Sequence, residues 1–310
     1  MSTHGALKLY LDKLDYFQRS LLRGLQVSSS FCPSCGNHSS VLVQRKHLVT
    51  SLRRCSSCFL QFRTPTDPQK KAQRFYSQVY SSGFTTELPS DSDLRRLINS
   101  RFVGTPKDFR RYLDLFSALN VPPNSRVLDF GCSWGYGAWQ MKQAGYRAIG
   151  LEIGETRASF AKQKLGISVL RSLEKVEEPF DLIFSSHVLE HIGPVRDVIS
   201  WSLNHLVPGG LFIAVTPNGS AQFRSQAPKQ WNRMWGDVHP LYLDAPFWHK
   251  QLLGYNHLIT SQFINLEMVS TWALGTQFVE EGPLDGWELL AIARKPSALH
   301  PPAVIATHFQ

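Results

Sequence analysis

The chain has 310 residues and a formal charge of +9, with 43% hydrophobic and 12% aromatic residues. That content excludes a disordered chain and suits one large α/β domain with a small module beside it. No apolar run reaches the ~18–20 residues needed to span a membrane. Lys8, Asp12, Lys13, Asp15 and Arg19 interrupt the N-terminal apolar residues, which argues against a signal peptide, so a soluble, cytoplasmic protein is expected. The charge is uneven: residues 1–117 hold 18 Lys+Arg and 8 Asp+Glu, the remainder 15 and 16. Such a basic third fits an acidic partner (nucleic acid, a phosphorylated substrate, a membrane surface) or a merely solvated face.

Leu7, Leu11, Leu14, Phe17, Leu21 and Leu25 recur at spacings of three and four, the stripe of an amphipathic helix within residues 1–28. A cysteine-bearing module follows at 29–66, then a helical connector at 67–120 with a loop around Ser81–Ser92. From Val121 to residue 295 short apolar runs alternate with helical stretches, as in a parallel sheet with crossover helices. Strands are predicted at Arg126–Phe130, Arg147–Leu151, Ile167–Leu170, Phe180–Ser185 and Leu211–Thr216, with a closing pair at Phe263–Ser270 and Trp287–Arg294. Helices are predicted at Gly135–Gln143, Glu155–Leu165, near Val195–Leu206, and from an Asp244 cap to Gly254. Residues 296–310 read as a loose tail.

Cys32-Pro33-Ser34-Cys35 and Cys55-Ser56-Ser57-Cys58 are two CxxC knuckles separated by nineteen residues. Four thiolates so spaced suit one tetrahedral structural Zn²⁺, and a cytosolic setting disfavours disulfides. Arg45, Lys46, His47, Arg53, Arg54 and Arg63 surround the knuckles and are a candidate phosphate-binding face.

The strongest chemistry runs from Val127 to Gly137. A buried strand ends in Asp129, and a Gly131-x-x-x-Gly135-x-Gly137 loop opens a helix. Glycines let the backbone turn sharply and approach a ligand, and the helix N-terminus offers unpaired N–H groups. The acid precedes the glycines; phosphate cradling does not need that carboxylate, whereas holding a zwitterionic amino acid does. A second strand ends in Glu152, where a carboxylate can accept two hydrogen bonds from a ribose diol.

In order and spacing, Val127–Gly137, Ile149–Glu152, Phe180–Ile192, Leu206–Asn218 and Trp287–Arg294 resemble the class I S-adenosylmethionine-dependent methyltransferases over about 121–295. The resemblance implies a Rossmann-like sheet with helices on both faces and S-adenosyl-L-methionine as cofactor. It implies that Asp129, Gly131 and Gly135 line the methionine part, Glu152 the ribose, Leu173 the adenine, and that Ser186 lies under the sulfonium. Ser172 departs from the acid or amide that the family often places near the adenine amine.

His187-x-x-Glu190-His191 matches a zinc-protease pattern literally, but it leaves a strand and does not sit on a long helix. It resembles the Val-Leu-Glu-His stretch of small-molecule methyltransferases. Some of their relatives, including those of the ubiquinone pathway, have Glu-x-x-Glu-His and use it for a divalent metal; here His187 replaces the first acid. A loop-holding hydrogen bond, acid/base work and metal binding all stay open for His191. The insertion Asn218–Leu243 interleaves Phe223, Trp231, Trp235 and Tyr242 with Arg224, Lys229 and Arg233, as a packed lid or a stacking surface would. Its His239-Pro240-Leu241-Tyr242 resembles a block in bacterial methyltransferases that modify sugars and secondary metabolites, often with N-terminal cysteine pairs. That makes His239 a candidate base. The acceptor expected is a hydroxyl of a glycan, nucleotide sugar or small metabolite; the alternative is RNA docked through the basic ribbon.

Overall fold

The computed structural model describes residues 17–46, 48–67, 87–261, 265–275 and 279–297. The predicted helix over 1–16, the loop around Ser81, His47 and the tail beyond residue 297 lie outside these. Residues 17–24 are helical.

A small antiparallel sheet comes first: β1 (Ser40–Lys46), β2 (Thr50–Cys55) and β3 (Gln61–Thr64) form a meander. Helices α1 (Asp91–Asn99) and α2 (Arg110–Ala118) lead into the large sheet. Its parallel half is β4 (Arg126–Phe130), β5 (Arg147–Leu151), β6 (Val169–Leu170), β7 (Phe180–Ser186) and β8 (Leu206–Pro217). Between them run α3 (Tyr136–Gln143), α4 (Glu155–Leu165) and α5 (Val195–Asn204). The insertion folds as α6 (Ala221–Gln226), α7 (Pro228–Met234) and β9 (Leu241–Tyr242). After it come α8 (Ala245–Gln251), β10 (Asn256–Ser261), α9 (Leu266–Leu274), β11 (Val279–Glu281) and β12 (Glu288–Arg294). The large sheet has the order β11-β10-β12-β8-β7-β4-β5-β6, with β12 antiparallel to both neighbours.

Alternation along β7 assigns its two faces. Ile183 packs with Ile199 and Leu203 of α5 and Phe247 and Trp248 of α8. Leu182 and Phe184 pack with Leu115 and Phe116 of α2 and Val269 and Trp272 of α9. Helices thus cover both faces, as a largely parallel sheet requires. The first core also contains Leu60 and Phe62 of the cysteine module, so the module shares a core with the sheet.

Two sequence expectations need correcting, and of the two open readings of the insertion the packed one holds. The strand predicted at Phe263–Ser270 lies earlier, at Asn256–Ser261, and Leu266–Leu274 is helical. Asn265 caps that helix by accepting from the Met268 N–H, and its buried residues Val269 and Trp272 stand three apart, a helical spacing. β8 begins at Leu206, where Leu206 pairs with Phe180 before a register shift, so α5 stops at Asn204. The insertion's aromatics are spent on packing: Phe223, Trp231, Trp235 and Tyr242 are at most 3% exposed and enclose Leu52 of β2. β9 pairs with β3 and becomes the fourth strand of the small sheet.

Candidate active site and metal centre

The donor side is built at the carboxyl ends of β4 and β5. Gly131 has φ +81° and Gly135 φ +86°, backbone that only glycine adopts without strain. A Cβ on Gly131 would lie 2.3 Å from Val188 Cγ2, and one on Gly135 would lie 2.7 Å from Ala161 Cβ. The loop after β7 therefore sits directly on the glycine turn. Asp129 is buried, and burial raises its pKa to about 7 against the pull of the Ala138 N–H, with the nearby Glu152 charge adding to the rise. A cationic ammonium beside it would restore the carboxylate. Glu152 is also buried; its Oε1 accepts from the Gly154 N–H at 2.5 Å and from Arg157 at 3.0 Å.

Leu173 opens a short 3₁₀ turn after β6, and Ser172 caps that turn by accepting from the Glu174 N–H. Ser186 closes β7, its hydroxyl 3.0 Å from that of Tyr112. Arg111 donates to the Tyr112 hydroxyl and pairs with Glu288 at 2.9 Å. Arg111, Tyr112 and Glu288 were missed by the sequence reading. They come from α2 and the start of β12, and no motif marks them.

His187 stands at φ 56°, with Nε2 2.7 Å from Glu288 and Nδ1 3.5 Å from Glu190. Burial works against its charge, but Glu190 and Glu288 prevail and raise its pKa to about 10. It is a cation wedged between two carboxylates, not a base. Glu190 is 0% exposed, and neither carboxylate oxygen has a hydrogen-bond partner among the described residues. Burial pushes its pKa up, but His191, His187 and His239 pull it down to about 2.

His191 behaves oppositely to His187. Burial, assisted by His239 and opposed by Glu190, lowers its pKa to about 4, so it is neutral at pH 7. His191 Nδ1 donates to the Val238 carbonyl at 2.7 Å, and His239 Nδ1 donates to that of Met234 at 2.7 Å. A carbonyl only accepts, so Nδ1 is the donor in both rings, and the lone pair of neutral His191 is on Nε2. The rings lie 5.0 Å apart, and ligand atoms of Glu190, His191 and His239 fall within 4.8 Å of one another. Such a set can take up a proton or hold a divalent cation.

The four cysteines meet at the tip of the small sheet. Cys32 and Cys58 sulfurs are 3.6 Å apart, and Cys35 and Cys55 sulfurs 3.5 Å. These distances are far too long for a disulfide of ~2.05 Å but close to the ~3.8 Å edge of a tetrahedron with ~2.3 Å Zn–S bonds. After each knuckle the chain turns through positive φ, at Gly36 (71°) and Phe59 (64°). The residues fit zinc.

The basic ring around them is not a free phosphate face. Lys46 donates to the Asn232 and Trp235 carbonyls, Arg53 to Ser40, Arg54 to Asp244 and buried Arg63 to Asp67. Of that predicted ring, Arg45 alone among the described residues is exposed.

An open α/β sheet with an acid ending each of two adjacent strands, and a glycine turn between, defines a nucleoside-binding enzyme of the methyl-transferring class. Residues 103–261, just over half of the chain, match the family model described as "Methyltransferase domain", and the chain belongs to that family. A probable S-adenosylmethionine-dependent methyltransferase of Mycolicibacterium smegmatis is 31% identical over 116 residues, 36% of this chain and 45% of that one. A ubiquinone biosynthesis O-methyltransferase of Agrobacterium fabrum is 29% identical over 111 residues, 33% of this chain and 44% of that one. The alignments thus span less than half the length of these curated relatives. Among solved structures, the plantazolicin methyltransferase BpumL with a desmethylPZN analog and SAH is 14% identical, with TM-score 0.48, covering 74% of this chain and 100% of that one. At this identity and score it does not bear on the acceptor. No described helix is long and apolar enough to cross a membrane.

Proposed function

We propose that the protein transfers a methyl group from S-adenosylmethionine to a hydroxyl oxygen of a small acceptor, a glycan, nucleotide sugar or other metabolite. The observation that carries this reading is the pair of buried acids, Asp129 and Glu152, at the ends of adjacent strands. Asp129 would hold the donor's ammonium, Glu152 its ribose, Leu173 would flank the adenine, and Gly131 and Gly135 would let the backbone approach the methionine part. The donor supplies a methyl already activated by its sulfonium. The chain's own contribution is mostly positioning, which removes much of the barrier for two bound reactants.

His191 would take the acceptor's O–H proton on Nε2 while the methyl passes from the donor's sulfur to the hydroxyl oxygen, which would leave S-adenosylhomocysteine. Glu190, 3.8 Å from that nitrogen, stabilises the imidazolium. His239 stands beside it as the second candidate base. Zinc on Cys32, Cys35, Cys55 and Cys58 is structural in this reading. We read the chain as a helix to residue 28, a ribbon at 29–66, a connector to 120, the methyltransferase domain at 121–295 and a tail.

A small acceptor is favoured over RNA because Lys46, Arg53, Arg54 and Arg63 are already engaged within the chain. The test is calorimetry with S-adenosylmethionine. Glu152→Ala should bind it about 1.5–3 kcal/mol more weakly, the scale of charge-assisted hydrogen bonds. Unchanged affinity in a folded variant removes Glu152 from the site.

A further inference from the structure

One cation beside the two buried acids sits where its own helix disfavours it. Arg157 is the third residue of α4 and lies in that helix's first turn. A cation there meets the positive end of the helix dipole, so the position gains nothing from the helix itself. The side chain is nevertheless drawn inward and is only 13% exposed.

Glu152 holds it there. Arg157 pairs with Glu152 Oε1 at 3.0 Å, and the Gly154 N–H donates to the same oxygen at 2.5 Å. A carboxylate oxygen offers about two lone pairs, and on Oε1 both are engaged. Among the described residues, no hydrogen bond is made to Oε2. The outer torsion of a glutamate is broad, so an unsupported carboxylate would sweep through many orientations. Two donors on one oxygen, one of them charged, fix its plane.

Gly154 is an independent sign that this contact is built. Its φ of −74° is one that any residue adopts, so the backbone does not call for glycine. Space does. A Cβ there would lie 2.8 Å from Glu152 Oε1 and 2.8 Å from Arg157 Nη2. Any side chain at this position would stand between the guanidinium and the carboxylate.

We propose that Arg157 is a positioning residue of the donor site. With the Gly154 N–H it anchors Glu152 Oε1 and thereby presents Oε2 to the hydroxyls of the donor's ribose. Glycine at position 154 keeps the space between the two charged groups open. The inference rests on the methyl-transfer reading above, and adds to it the residues by which the site would tell a ribose from a deoxyribose.

The test uses the full-length, zinc-loaded protein and calorimetry with S-adenosylhomocysteine and its 2′-deoxy and 3′-deoxy counterparts. The parent should bind S-adenosylhomocysteine at least about tenfold more tightly than one of the two, the scale of one hydrogen bond to a charged group. Arg157→Gln should cut that preference to about threefold or less, because Glu152 loses its orientation. Arg157→Lys, which keeps the charge and a donor, should restore part of it. Gly154→Ala should act like Arg157→Gln while unfolding near the parent's midpoint, because Arg157 Nη2 is the end of a flexible side chain. It carries the test should Arg157→Gln not fold. In a Glu152→Ala background Arg157→Gln should change nothing further. A parent indifferent to both hydroxyls, a preference that survives both substitutions, or an equal loss for all three ligands overturns the proposal. The last is what a merely structural role would give. Absence of S-adenosylhomocysteine binding to the parent, or unchanged affinity in Glu152→Ala, would instead overturn the donor-site reading, so the two failures are distinguishable.

Discussion

Gly131→Ala tests the idea that the donor turn and the histidine loop are one packed unit. The added Cβ would meet Val188 Cγ2 at 2.3 Å and Cγ1 at 2.9 Å, and the residue would have to keep φ +81°. A non-glycine residue in left-handed backbone costs ~1–2 kcal/mol, and forcing an extra carbon into a packed site costs ~1–3 kcal/mol. The single variant should therefore lose about 2–5 kcal/mol in urea unfolding, and bind S-adenosylmethionine at least tenfold more weakly, because the glycine turn and the Val188 loop must move apart. Val188→Ala removes both clashing carbons. The double variant should recover the packing part and retain only the backbone part, giving a coupling of ~1–3 kcal/mol in the mutant cycle. A single variant within ~0.5 kcal/mol of the parent, the usual spread of neutral changes, refutes the reasoning. So does a double variant no more stable than the single.

Freshly purified, reduced protein should carry about one zinc per chain by elemental analysis, the count one four-cysteine site requires, and Cys32→Ser/Cys55→Ser should lose it. Metal retained by that variant would move the site to Glu190, His191 and His239. His187 is charged in the fold, with its pKa raised to about 10, so its contribution to stability is full below its unfolded value of ~6.5 and lost as pH rises through 10. The stability gap between the parent and His187→Gln should narrow between pH 6.5 and 10; a gap that widens there means His187 is neutral. Labelled RNA titrated from 50 to 300 mM salt should show weak binding with a shallow slope of about one or two counterions. Submicromolar binding with a slope near five would favour RNA as the acceptor.

Much of the candidate donor site was legible because its signals are local. A five-residue strand, the acid Asp129 within it and three glycines sit within the twelve positions 126–137. The cysteine spacing is equally local. What stayed hidden depends on partners far along the chain. Arg54 reads as a surface cation, yet its carboxylate is Asp244, 190 residues on. The insertion's tryptophans read equally well as a stacking surface, and only the fold shows them around Leu52. β10 was misplaced because Asn256–Ser261 contains His257, Thr260 and Ser261, all buried but all polar. His257 is accommodated by His249 and the Tyr255 carbonyl, and Ser261 by Asp285, contacts that an apolar-run criterion cannot register.

The same distant contacts explain why the ribbon belongs to the enzyme's working part. β9 follows His239 by one residue and is held by β3, which the cysteine knuckles anchor. Buried Asp244, the cap of α8, accepts from Arg54 of β2 and Gln61 of β3. Lys46 of β1 donates to the Trp235 carbonyl, and His239 donates to the Met234 carbonyl next to it. His191 is tied to Val238 in that same segment. Each ring whose Nε2 could take the acceptor's proton is thus oriented by the stretch 234–238, which the small sheet clamps at both ends. Four buried thiolates would repel one another without a cation between them. Metal at the ribbon's tip would therefore fix histidine orientation by way of β3 and β9, and basic residues that looked like a docking face, Lys46 and Arg54, would be links that transmit it.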